Sequence, residues 1–453
     1  GKDVRIKATQ LDNVAANISA GGVLALDAQT GVVRNSGDLS AQELLSISAD
    51  QLNNQSGRML SNRNLALNAG ALDNTGGLIS SGQALDAQLK SQLVNAQGRM
   101  VGGESLTVNA GGIENNAGLL AARYLDIGVR TGSLNNAAGQ LVGEQSLVID
   151  TQGNALVNDG GRLHSVGQLD IKAGQLSNDK GLLHGGQGLA LTAAQVSNTQ
   201  GEISSSTGSV ALRSQSLNNT LGQILAKTQL NVDSGEVLNT GTLASGQNAQ
   251  INATSLQNEG GIQSGQSIKL DIDGPLSSER GQVLAGQNLQ AQAGSVVLGA
   301  HAVWSANGGL DLQSKGEVVN AGVLQSQAAL SLAGTSLNND SGKILSNDGL
   351  GLTVQGRISN QSGAVFAQKQ LTIQSTEVVN AQGQIASGQG VHLDIAKLNN
   401  TDGLINAKGA LQVRSHELQN QRGELSSAAS FELNSAAVNN VAGTLVSGGD
   451  MNI

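Results

Sequence analysis

The chain has 453 residues, a formal net charge of -9, and only one Trp, one Tyr and two Phe. So few aromatics argue against ordinary compact domains, whose cores rely on large rings. The acidic balance disfavours a nucleic-acid partner, which needs clustered Lys and Arg. The chain has no cysteine, which removes disulfides, thiolate chemistry and Cys-based zinc sites together.

One triplet recurs along the chain: an apolar residue, any residue, then Asn. It appears first as Leu11-Asp12-Asn13, then as Leu52-Asn53-Asn54, Leu72-Asp73-Asn74, Leu93-Val94-Asn95, Ile113-Glu114-Asn115 and Leu134-Asn135-Asn136. It is still running at Leu337-Asn338-Asn339, Leu398-Asn399-Asn400, Leu418-Gln419-Asn420 and Val438-Asn439-Asn440. The column has 22 positions with a mean period of about 20.3 residues, and 20 of them are Asn. The exceptions are Ser278 and Leu298. A constant unit with a drift of one or two residues is the mark of a solenoid.

Within a unit the apolar spacing is two, which predicts strands. In most copies Gly follows the Asn by three residues, as at Gly57, Gly77 and Gly98. A large aliphatic comes two residues later (Met59, Ile79, Met100), and two further on a small residue (Ser61, Ser81, Gly102). A second alternating pair follows, such as Leu106 and Val108. About three short strands per unit are therefore expected, joined by tight turns. One coil buries about four aliphatics, worth roughly 6–12 kcal/mol. Ordering its backbone costs roughly 20–40 kcal/mol. A coil must therefore stack, pairing its backbone groups with the coils on either side. The expected fold is an all-β, right-handed parallel β-helix of about 22 coils. At about 4.8 Å per coil it would be a rod roughly 105 Å long. A leucine-rich repeat shares the period and the Asn column. Here, however, the Gly-x-aliphatic-x-small run follows the Asn, and no half-unit has helical spacing.

The Asn column is expected to point inward and to bond amide to amide along the stack, a structural role. The regular stretches are 1–272 and 306–453. The stretch 273–305 is irregular: it holds Pro275, the only proline, loses Asn twice, and has His301 at the turn-glycine position.

A second column lies between the large aliphatic and the small residue. It contains Leu60, Val101, Val142, Leu225, Leu284, Trp304, Leu345, Phe366 and Val446. Strand alternation points it outward. Either the corner tucks these side chains partly inward, or they form a shallow apolar stripe for a partner, of which Leu225, Leu284, Trp304, Leu345 and Phe366 are the candidates. His164 and His184 occupy the same column one repeat apart, which places the two rings on adjacent coils. Two imidazoles without a third ligand make a poor zinc site. The residues indicate no catalytic, metal or cofactor site. The acidic residues are scattered, whereas a carboxylate pair for hydrolysis needs a defined separation across a cleft.

The unit Leu-Asn-Asn-x-x-Gly-x-Leu-x-Ser-x-x-x-Leu-x-Leu-x-Ala resembles the haemagglutinin repeats of filamentous haemagglutinins and of CdiA-type contact-dependent growth-inhibition proteins. The copies at 52–69, 337–352 and 398–413 stand nearest to it. The resemblance implies a secreted, cell-surface β-helical fibre exported by an outer-membrane two-partner transporter and anchored at the outer membrane. It also implies adhesion to a receptor on a bacterial or host cell, or delivery of a toxin. Freedom from cysteine fits passage through a pore as an unfolded chain. The family's Asn-Pro-Asn secretion motifs and its Val-Glu-Asn-Asn boundary do not occur in this sequence. The expectation is a stalk segment of a longer protein, or a segment that is itself an adhesive module.

Overall fold

The computed structural model of the protein describes residues 2–453, and among them every regular element is a β-strand. Two compact units are present, Gly1–Asn231 and Val232–Ile453. Each is a parallel β-solenoid, and the inward Asn position occurs eleven times in each. The two units together hold about 22 coils, the all-β parallel β-helix that the period implies.

A coil of the first unit shows how the sequence builds the turn of the helix. Strand Arg58–Ser61 alternates exposed and buried residues, sending Met59 and Ser61 inward. Strand Asn64–Asp73 follows, with Leu65, Leu67, Ala69 and Leu72 inward; two half-exposed residues in a row, Gly70 and Ala71, mark a bend. Asn74 then begins the turn into the next coil. The second unit repeats the plan, for example with strands Gln384–Ser387 and Val391–Asn399.

Stacking is in register. Met59 lies opposite Ile79, and Ile79 opposite Met100. Leu65 pairs with Leu85, and Leu85 with Leu106. Each inward aliphatic thus packs on its own kind one coil away, and Leu52, Met59, Leu65, Leu67 and Leu72 are all buried. The residue at the first corner is small because backbone runs close beside it. A Cβ on Gly102 would lie 2.0 Å from the Ser105 carbonyl.

The turn after most inward Asn residues uses two conformational devices. The second residue past the Asn takes left-handed backbone, as at Ser56 (φ 56), Ala117 (φ 52), Leu221 (φ 53) and Asp402 (φ 55). Most are not glycine, so most coils carry strain that an L-residue meets at positive φ. The third residue is Gly for a different reason: it has no room for a side chain. A Cβ on Gly383 would sit 2.0 Å from the Asn360 carbonyl and 2.6 Å from Asn380 Oδ1.

The two devices predict opposite effects. Gly383→Ala should destabilise its unit by about 1–3 kcal/mol through overpacking. Leu221→Gly, at an exposed left-handed position, should be neutral or stabilising by up to about 1 kcal/mol. Urea unfolding of both variants checks the pair.

Candidate functional site

The inward Asn side chains form a continuous chain of amide hydrogen bonds within the first unit. Nδ2 of Asn13, Asn35, Asn54, Asn74, Asn95 and Asn115 each donates to Oδ1 of the next Asn at 2.7 Å. Asn136, Asn158, Asn178 and Asn198 continue it at 2.8 Å, reaching Asn219. In the second unit Asn239 donates to Asn258 at 2.8 Å, and Asn320 opens a run through Asn339, Asn360, Asn380, Asn400 and Asn420 to Asn440 at 2.6–2.7 Å. Most of these amides also serve their own turn. Asn95 Nδ2, for example, donates to the Gly98 carbonyl at 3.2 Å and to the Leu119 carbonyl at 3.3 Å. One buried side chain thus satisfies a turn carbonyl on its own coil, a carbonyl on the next coil and a neighbouring amide. Burial of polar groups is tolerated because they are paired.

The break at Ser278 and Leu298 shows what the ladder does. Both residues are buried and lie in register with each other, and Leu298 with Asn320. Ser278 Oγ still reaches the Gly281 carbonyl at 3.3 Å. Leu298 has no donor, and Asn320 Oδ1 is buried without a hydrogen-bond partner. The turn after Leu298 also holds one more residue than its neighbours. Ala302, not His301, donates its N–H back across the turn, to Gly299 at 3.0 Å.

That extra residue overturns one sequence expectation. Trp304 does not belong to the outward column. It pairs with Val283 and Leu324, points into the core and is 0% exposed, and Ser305 takes its place outside. The fixed offset from the Asn column misplaces it because the insertion lies inside the turn. Its Nε1 is buried without a partner.

The other apolar residues expected in the outward column lie on the surface, half-buried by their ladder neighbours except Val446, which is exposed. In the first unit Val101, Ala121, Val142, His164, His184, Ser204 and Leu225 follow one another in register. In the second unit the order is Ala244, Gln263, Leu284, Ser305, Gln325, Leu345, Phe366, Ala386, Asn406, Ser426 and Val446. Leu345 and Phe366 are direct neighbours.

His164 and His184 stack, with centroids 5.2 Å apart and planes 12° from parallel. His184 bonds the Ser204 hydroxyl through Nδ1 at 2.8 Å and the Ser206 hydroxyl through Nε2 at 2.9 Å. His164 Nδ1 is buried and unpartnered. Burial, then the charge of Arg162 and then that of His184, holds His164 below the ordinary imidazole range. Among the described residues no three His, Cys, Asp or Glu side chains converge as a metal site would require. The surface grooves are shallow; one is lined by Ser375, Asp394, Arg414 and His416, with Asp394 and Arg414 opposite each other in register.

Two further sets of structural residues carry only a weak signal in the sequence. First-corner serines tie the coils together: Ser346 Oγ lies 2.8 Å from the Ala328 carbonyl and 2.9 Å from the Gly349 carbonyl. An Asp just after the ladder Asn captures the following coil. Asp179 accepts from the Ser197 hydroxyl at 2.6 Å and from the Thr199 N–H at 2.9 Å. Asp159 and Asp340 do the same for Ser177 and Ser359. The signal that exposes this second ladder is Asp in one repeat with Ser two positions earlier in the same frame of the next.

Fold and ladder together define a structural parallel β-solenoid whose repeated chemistry faces inward. The haemagglutinin repeat model matches eight overlapping or adjoining segments: 1–43, 26–101, 84–123, 129–232, 207–277, 271–362, 351–415 and 411–453. The chain belongs to the haemagglutinin repeat family, whose members are typically secreted or cell-surface proteins of adhesin type. No curated protein matches the chain. No solved structure matches it either.

Two measurements test these assignments. Asn115→Ala removes the donor to Asn136 Oδ1 and the acceptor of Asn95 Nδ2. The expected cost is about 1–3 kcal/mol for the orphaned buried group. Hydrogen exchange should become faster in the coils around residue 115 and stay unchanged in the second unit. The second measurement is pH dependence. A depressed histidine favours the neutral ring in the fold, so its stabilisation is complete above the unfolded value of about 6.5 and is lost as pH falls through the lower folded value. Urea midpoints should therefore fall on acidification below about pH 6.5, and less steeply in His164→Gln. Asp12, Asp348 and Asp402 are lowered first by hydrogen bonds from Gln10, Lys369 and Arg422 respectively. They act in a separate window, below about pH 4.

Proposed function

We propose that the chain is a stalk segment of a large secreted bacterial cell-surface protein. It holds adhesive or toxin-delivering regions away from the producing cell, for adhesion or contact-dependent growth inhibition. An outer-membrane two-partner transporter exports the parent chain and anchors it at the outer membrane. A receptor on a target bacterium or host cell meets the regions that the stalk presents. The observation that carries this reading is the Asn ladder within an almost unbroken series of haemagglutinin repeats. The most regular chemistry of the chain is spent on holding coils together. A stack in which each coil depends on its neighbours transmits position along its axis, and its length scales with the number of coils.

A second reading makes the segment itself a receptor-binding module. Tyr124 favours it: the single tyrosine is exposed, with the Arg123 guanidinium 5.6 Å from the ring centroid. Exposed Tyr and Arg are frequent anchors in interfaces.

Incubating the isolated chain with bacterial and host cells separates the two. The stalk reading expects no saturable binding; saturable binding lost in Tyr124→Ala supports the module instead. Modularity gives an independent check. Deleting 361–400 removes two whole repeats and brings Asn360 into line with Asn420. That variant should retain a β-rich circular dichroism spectrum and an unchanged urea midpoint. Deleting 361–390 breaks the frame and should not.

A further inference from the structure

The outward strip of the second unit has a property that its apolar members alone do not convey. All eleven positions, from Ala244 to Val446, are free of Asp, Glu, Lys, Arg and His. The adjoining outward positions two residues earlier include Lys343 and Glu424. The corresponding strip of the first unit carries His164 and His184. A charge-free column in a chain of net charge -9 is a surface where like charges do not meet.

Of the polar members of the strip, all but the exposed Gln263 make few demands on solvent. Gln325 Nε2 donates to the Ser305 hydroxyl at 3.1 Å, and Asn406 Nδ2 to the Ser426 hydroxyl at 2.8 Å. Between these two pairs lie Leu345, Phe366 and Ala386, in consecutive register and half-buried. Covering the strip therefore removes apolar surface from water while side-chain bonds along it are already made.

We propose that this face is a lateral contact between two copies of the chain, strip against strip. A second copy is the occupant whose axial repeat matches coil for coil, so that neither apolar group need face a charge. The area sets the strength. Eleven coils at about 4.8 Å give a strip about 50 Å long. At about 10 Å wide it buries about 1,000 Å² over both copies, the size of a weak, transient interface. The contact is therefore reversible, suited to bundling copies held close together at a surface. It does not depend on the stalk reading: the pairing can fail with that reading intact, and the reverse.

Sedimentation velocity of the full chain over a wide range of concentration tests the contact. The wild type should show reversible dimers. Leu345→Glu and Phe366→Glu each place a carboxylate on the strip, and each should weaken the association by about tenfold or more. Both sites are half-exposed, and circular dichroism verifies that the variants fold. Gln374→Glu adds the same charge at an exposed position off the strip and should leave association unchanged. A wild type that stays monomeric at every concentration overturns the proposal. So does association that survives both strip variants, as contact through the coil ends would, or that weakens equally in Gln374→Glu.

Discussion

The structure depends on one constraint: polar groups buried at a turn need partners, and most coils bury the same turn. A side-chain amide meets that need economically. It has two donors and one acceptor oxygen, and so can bond its own turn, the next coil and the next amide. Replicated along a unit, the arrangement gives each Asn a neighbour identical to itself. The Gly three residues on follows from it, since a Cβ there would strike the previous Asn carbonyl and both amides, as at Gly98 and Gly403. The left-handed residue between them completes the turn at some cost in strain. Aliphatic columns supply most of the burial energy, but the amide column sets where each turn sits.

The break in the second unit is informative because it is not neutral. With Leu298 in the column, Asn320 Oδ1 is left alone and the turn admits one more residue. That residue rotates the following strand by one position, and Trp304 enters the core in place of the usual aliphatic. The largest side chain of the protein and an unpaired amide oxygen thus lie within neighbouring coils. Stacking continues through this stretch: strand Pro275–Ser278 pairs with Ser295–Leu298, which pairs with Glu317–Asn320.

The period-two alternation and the Asn spacing made the fold legible in the sequence, because a solenoid converts three-dimensional neighbours into a fixed sequence offset. Leu345 beside Phe366, or His164 beside His184, could be read from numbering alone. The same logic failed at Trp304, where an insertion inside the turn shifts the following strand by one; the lost Asn and His301 marked the turn as irregular but did not give the shift. The Asp–Ser pairs on the outside, such as Asp179 with Ser197, were hidden for another reason. They occur in only some coils, so no column stands out. Function is less legible than fold. The inward residues are constrained by packing and bonding, whereas the outward ones vary freely, and a binding surface among them has no repeating signature. Family membership supplies the adhesin-type, surface-exposed setting, and the outward residues must supply the rest.

The central claim is that the inward amides are bonded to one another and sealed from water. Exchange of the Asn side-chain Nδ2 protons, followed by NMR on a selectively labelled chain, tests it directly. Ladder amides such as Asn74, Asn95, Asn380 and Asn400 should exchange as slowly as the backbone amides of the strands that flank them. Asn307, on an exposed bend, should exchange rapidly. Ladder amides that exchange as fast as Asn307 would contradict it.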